Sequence, residues 1–244
     1  MFDATDVKAT IGRVLYELEK IQIQGYPSPL SIAPLFIYTP YGLEAFFHVM
    51  WGDEDEGTGA QWVDKISRFG EVLRNGVRKT THAGATEEFA TDFAVDGAYG
   101  SVDTISIRAL TDEVIGIISK RIETMPPHFG TGFAAHVAPA SSNESRKSSV
   151  FAANEPHYML EFLYGAMSVE SAEISREWAK DFLAEIQATD PRNILPSTYI
   201  SLTPPGRNTL KLIYGSNYDF LMDLKKKHDP FDVFRLAVPF AYIE

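Results

Sequence analysis

The chain has 244 residues, 45% hydrophobic and 23% charged, with a formal net charge of -11 and no cysteine. That length and apolar content are enough for one sizeable core, and the missing cysteine excludes disulfides, thiolate nucleophiles and Cys-ligated metals. The acidic balance argues against nucleic acid or an anionic membrane as partner, because both need a basic face.

The N-terminal MFDATDVKATIGRVLYELEK is charged and amphipathic, unlike a secretory signal or transit peptide. No apolar run approaches the ~18 residues of a membrane span, so a cytoplasmic soluble protein is expected. Helical spacing predicts a helix over 5–22, with Ile11, Leu15 and Leu18 on one stripe, Thr5 or Asp3 as cap, and Gly25 and Pro27 as its end. Strand-like runs at 31–39 and 43–51 are joined by a turn at Pro40, Tyr41 and Gly42. Pro34 inside the first run argues for an edge or bulged strand.

After an acidic loop at 53–59, Trp62, Ile66, Phe69 and Leu73 predict a helix over 60–74. The polar stretch 75–100 shows no period and is expected to be mainly loop. A strand over 101–110 leads into a helix over 112–124 that buries Val114, Ile117, Ile118 and Ile122. Alternating runs at 131–139 and 157–167 predict two more strands around the solvated loop SSNESRKSS. Ile174, Trp178, Phe182 and Ile186 predict a helix over 169–188, and a strand follows at 197–203. The basic run Lys225 to Lys227 closes a final helix, where cations favour its dipole. With no repeat and no long linker, this order predicts a single α+β domain over 1–244. Its antiparallel sheet should be covered on one face by helices.

The closing string TYISLT followed by YGSNYDFLMDLKKKHDPFDVFR resembles the C-terminal signature of berberine-bridge-like FAD-linked oxidases. LSIAPLFIYTPYGLEAFFHVMWGDE is similar to the opening of that family's substrate domain. SSVFAANEPHYMLEFLYGAM resembles its Phe-x-x-Arg and Tyr-containing strand, with Glu155 standing where the Arg would be. The resemblance implies a substrate-domain region over 1–195 and a berberine-bridge segment over 196–244, without the family's N-terminal flavin domain. The family's phosphate-binding loop and its Cys anchor have no counterpart here. No cofactor is therefore expected in this chain, and FAD only where a separate flavin domain is supplied. The family's Tyr-x-Asn becomes Tyr199, Ile200 and Ser201, so an amide that donates and accepts is replaced by a hydroxyl.

Glu161 lies on a strand whose one phase reads His157, Met159, Glu161 and Leu163, and the other Tyr158, Leu160, Phe162 and Tyr164. A carboxylate among apolar neighbours titrates higher and suits a general base; the alternative is a solvent-facing glutamate. The resemblance implies a catalytic base on this strand and an acid/base or substrate-orienting phenol at Tyr199, which read by itself is a packed strand tyrosine. His48, His136 and His157 fall on predicted strands and either converge as substrate-binding proton shuttles or serve as hydrogen-bonded sheet residues. No HxH or HExxH spacing supports a metal site. Phe162, Tyr164 and Ser201 complete the expected substrate contacts. Arg108 either meets a substrate anion or pairs with Asp112.

Three functions remain open. One is cofactor-free isomerisation, dehydration or cyclisation of an apolar or aromatic secondary-metabolite intermediate, with Glu161 as base and Tyr199 as donor. The second is a piece or subunit of an FAD-linked oxidoreductase. The third is a non-catalytic binding or dimerisation module. A homodimer is expected throughout, since a substrate-domain sheet leaves an apolar face to cover.

Overall fold

The computed structural model describes residues 1–3, 6–25, 27–93, 98–138, 149–199, 201–202 and 210–234. One antiparallel sheet of five strands, in the order β2-β1-β4-β5-β3, organises the chain. The strands are β1 (Leu30–Thr39), β2 (Gly42–Trp51), β3 (Val102–Ile107), β4 (Thr131–Ala138) and β5 (His157–Tyr164). The helices are α1 (Val7–Gln24), α2 (Glu56–Ser67), α3 (His82–Phe93), α4 (Asp112–Glu123), α5 (Val169–Gln187), α6 (Leu210–Tyr214) and α7 (Tyr218–His228). This is the α+β layer expected, an antiparallel sheet with helices on one face.

Period-two alternation assigns each strand two faces. One face carries Phe36, Phe133, Ala135, Leu160, Phe162, Ile105 and Ile107, all buried. Helices α1, α4 and α5 cover it, with Leu15 and Leu18, Val114, Ile118 and Ile122, and Trp178, Phe182 and Ile186 pointing inward. Ile174, expected in the α5 stripe, is exposed. The buried neighbour Ser175 takes the inward place and bonds the Thr131 hydroxyl at 2.7 Å.

Caps explain most boundary shifts. Asp6 accepts from Ala9 N–H at 3.0 Å and starts α1, in place of Asp3; Thr5 lies outside the described residues. Gly25, at φ 79, ends that helix. Asp55 accepts from Thr58 N–H at 3.1 Å, so α2 begins earlier than its apolar period suggests. It also ends earlier: Leu73 leaves the helix, is exposed, and donates its N–H to the Met1 carbonyl. The loop expected over 75–100 contains α3, started by Thr81, whose hydroxyl accepts from Gly84 N–H at 3.1 Å. It has no apolar stripe to announce it, because its described side chains lie at or near the surface.

Pro34 does not mark an edge strand, since β1 is flanked by β2 and β4. Its ladder to β4 begins at Leu35, just past the residue that has no N–H to donate. Each outer edge of the sheet takes a further bridge. Phe2 bridges to Ala45 on β2, and Leu195 N–H donates to the Ser106 carbonyl on β3 at 2.9 Å. The strand expected at 197–203 is not formed in its described residues. Strand-like pairing instead occurs at Ile194, opposite Ile107, and Pro196 then supplies no donor to continue it. Ile200 and Thr203 of that run, and residues 139–148 of the loop before β5, lie outside the described residues.

The closing signature acts first as a dock. Ala152 N–H donates to the Ile213 carbonyl at 2.8 Å, Tyr214 stacks on Phe151, and Asn217 Nδ2 donates to the Val150 carbonyl at 3.2 Å. Gly215 turns the chain at φ 52, where a β-carbon would press on Ala152. Beyond α7, Asp229 accepts from Val233 and Phe234 N–H and pairs with Lys225, which also reaches Asp232 at 2.9 Å. The Lys225 end of the basic run is therefore bound into a helix stop rather than only solvated.

Arg108 ties three segments together, and its partner is Glu155 rather than Asp112. Its guanidinium meets both oxygens of Glu155, at 2.8 and 3.2 Å, and donates to the carbonyls of Arg192 and Ile194. Arg108→Ala is expected to lower the unfolding free energy by about 1–2 kcal/mol after allowing for partial exposure. Arg108→Lys should recover less than half, because an ammonium cannot make the fork. Urea denaturation midpoints check both.

Candidate active site

The sheet's second face is not roofed by the main helices. One row across it reads Phe46, Leu35, Ala134, Glu161 and Thr104, each paired directly with the next. The adjacent row on β3, β5 and β4 reads Ser106, Met159 and His136. His48 lies on the same face of β2, opposite Ala33. Two features of the chain create this arrangement: the alternation on each strand and the register between β4 and β5.

The register sets His136 and Glu161 on adjacent strands, one step out of line, close enough to join. Their side chains meet at 2.7 Å, Nε2 to Oε2. The Glu161 side chain is 14% exposed and that of His136 is 41% exposed, so the carboxylate is sunk and the ring stands toward the open side. With Glu161 ionised, Nε2–H donates to it and the ring keeps a lone pair on Nδ1. A carboxylate so placed orients the imidazole. The pair can therefore take up or deliver one proton at the sheet surface.

His48 has its pKa pushed below the ordinary imidazole value, first by burial and second by the nearby His136. His157 is buried and its Nδ1–H donates to the Glu155 carbonyl at 2.7 Å, which fixes its tautomer and ties it to the loop before β5. Tyr199 lies on the C-terminal segment and is 45% exposed, and Ser201 is exposed in a turn just beyond it. Glu161 takes its hydrogen bond from His136, the partner that single-strand periodicity does not reveal.

Phe162 and Tyr164 stand on the other face. Phe162 is fully buried, edge-on to Phe133 and Phe182, and Tyr164 is buried beside the same helix layer. They are core residues and not pocket walls, since Glu161 and Phe162 are consecutive in a strand and must point to opposite sides.

A dinucleotide such as FAD needs a glycine-rich backbone cradle at a helix N-terminus. The described glycines of positive φ are Gly25, Gly42, Gly100, Gly130 and Gly215. They sit at a helix end, a hairpin, two strand starts and a short turn, and none joins a strand to the helix after it. The described residues do not fit the pyrophosphate of FAD. Among them, no group of three His, Asp or Glu side chains is placed to hold a metal ion, and no helix is long and apolar enough to cross a membrane.

No family model matches the chain. It is 25% identical over 233 residues to the FAD-linked oxidoreductase aurO of Gibberella zeae, covering 92% of this chain and 44% of that protein. Among solved structures, aclacinomycin oxidoreductase superposes with a TM-score of 0.70 at 16% identity, over 94% of this chain and 51% of that one. GilR, solved with pregilvocarcin and described as an oxidoreductase of the terminal step of gilvocarcin biosynthesis, gives 0.68 at 15% identity, over 91% and 51%. The berberine-bridge-like enzyme 1 of Physcomitrella patens gives 0.66 at 14%, over 92% and 49%. The chain spans about half the length of these relatives. The chain is thus similar in sequence to part of an FAD-linked oxidoreductase and in fold to about half of each of these berberine-bridge-like and related oxidoreductases.

Proposed function

We propose that this chain is the substrate-binding part of an FAD-linked oxidoreductase, working against a flavin-binding segment outside these 244 residues. Its open sheet face receives an apolar, ring-bearing biosynthetic intermediate, and His136 with Glu161 takes up the proton the substrate releases. The observation that carries this is the 2.7 Å His136–Glu161 contact on the sheet face that the helices leave open. The relatives' names support the rest, being FAD-linked oxidoreductases, one of them in gilvocarcin biosynthesis. A flavin on the other segment would supply the electron acceptor, and this chain supplies orientation and proton transfer.

Co-expression with the flavin-binding segment of an FAD-linked oxidoreductase tests the proposal. A yellow complex with flavin absorbance is expected, while the chain by itself stays colourless. A chain that never associates with such a segment overturns it.

A second function is favoured by one feature, that both members of the pair come from this chain. Acid/base isomerisation, dehydration or cyclisation needs nothing more than such a pair and an orienting surface. Turnover by the colourless protein supports this version, and activity that depends on added FAD removes it. Where no flavin segment is present, we propose that the open face pairs with a second copy of the chain. Light scattering should then give twice the chain mass, and a single-chain mass refutes the dimer.

A further inference from the structure

The C-terminal segment, the edge of β3 and the end of α5 line a half-open cavity of about 190 Å³. Its walls are largely apolar, with Ile105, Leu195, Pro196 and Leu212 among them. Four polar residues, Thr104, Gln187, Ser197 and Thr198, also line it. The Ser197 hydroxyl oxygen is buried and has no hydrogen-bond partner among the described residues. A buried hydroxyl without a partner is unfavourable unless something else supplies one. Thr104 is the direct cross-strand neighbour of Glu161, so the cavity lies one strand beyond the carboxylate.

We propose that this cavity is an anchoring site for a single aromatic ring bearing one hydroxyl or carbonyl group. Size sets the class: an apolar cavity of about 150 Å³ accepts benzene, and ligand pockets for whole drug-sized molecules start near ~300 Å³. One ring fits and a fused polycycle does not. The apolar walls take the ring, and Ser197 meets its polar substituent. The rest of a larger ligand is then directed past the buried Thr104, along the pairing of β3 with β5, toward Glu161 and His136. That last direction rests on the proposed role of the pair, whereas ring binding itself does not.

The test is a titration of the purified chain with phenol and, separately, benzene, followed by amide chemical shifts. Saturable shifts at Thr104, Ser197 and Leu212 are expected for both probes. Leu212→Trp, at a partly exposed position, should fill the cavity and abolish the shifts of both. Ser197→Ala should weaken phenol by about five- to tenfold, the worth of one neutral hydrogen bond, and leave benzene unchanged. Shifts that do not saturate, or that persist in Leu212→Trp, overturn the site, and an equal effect of Ser197→Ala on both probes overturns the role of its hydroxyl. Glu161→Gln should leave phenol binding intact. A chain that binds phenol but shows no activity with any flavin segment therefore removes the proposed function and keeps this site.

Discussion

Phe162→Ala is expected to lower the unfolding free energy by about 3–5 kcal/mol, the cost of an aromatic cavity in a close-packed core. The side chain is fully buried and edge-on to both Phe133 and Phe182, and Trp178 packs edge-on against Phe182 in turn. Its loss opens a void between the sheet and α5 that rigid neighbours cannot fill. The adjacent substitution Glu161→Gln, nearly isosteric and on the opposite face, should shift stability far less. Denaturant unfolding of the two variants reads the contrast directly. A Phe162→Ala midpoint close to that of the parent would mean that this residue faces a solvent-filled pocket, as its aromatic character had suggested.

That contrast also marks where the sequence is legible. The two phases of β5 are plain in the alternation of Glu161 and Phe162, and so are the stripes of α1, α4 and α5, because periodicity is a local property. Which phase meets the helices follows from the company each residue keeps. The Tyr158, Leu160, Phe162 and Tyr164 phase is the more apolar, and that signal could have placed Phe162 and Tyr164 in the core. The joining of His136 to Glu161 is not local. It depends on the β4–β5 register, across a connection of 18 residues from 139 to 156, and no single-strand pattern contains it. Helix α3 escapes notice for a different reason, since a helix held by its cap and lying on the surface has no apolar stripe to read. The signature at Tyr214, Gly215 and Asn217 resembles that of the oxidoreductases to which the chain is similar, and in this fold it docks on residues 150–152 ahead of β5.

Glu161→Gln should reduce kcat/KM by about 10²–10⁴-fold in the assembled enzyme, the usual contribution of a positioned acid/base group. What decides the roles is which member of the pair meets the substrate. Glu161 is sunk and spends one oxygen on His136 Nε2, while His136 stands more exposed with Nδ1 unengaged by that bond. Under the proposed function the imidazole is then the group that receives the proton, and the carboxylate is its positioning residue. The amide introduced by Glu161→Gln would keep a hydrogen bond to the ring but could no longer stabilise the imidazolium, so the rate should fall with KM little changed. His136→Ala should cost at least as much. The double variant should be no worse than His136→Ala, because residues acting as a unit do not contribute additively. Independent roles would instead multiply the two losses, and a Glu161→Gln enzyme within a fewfold of the parent would show that the pair only braces the sheet.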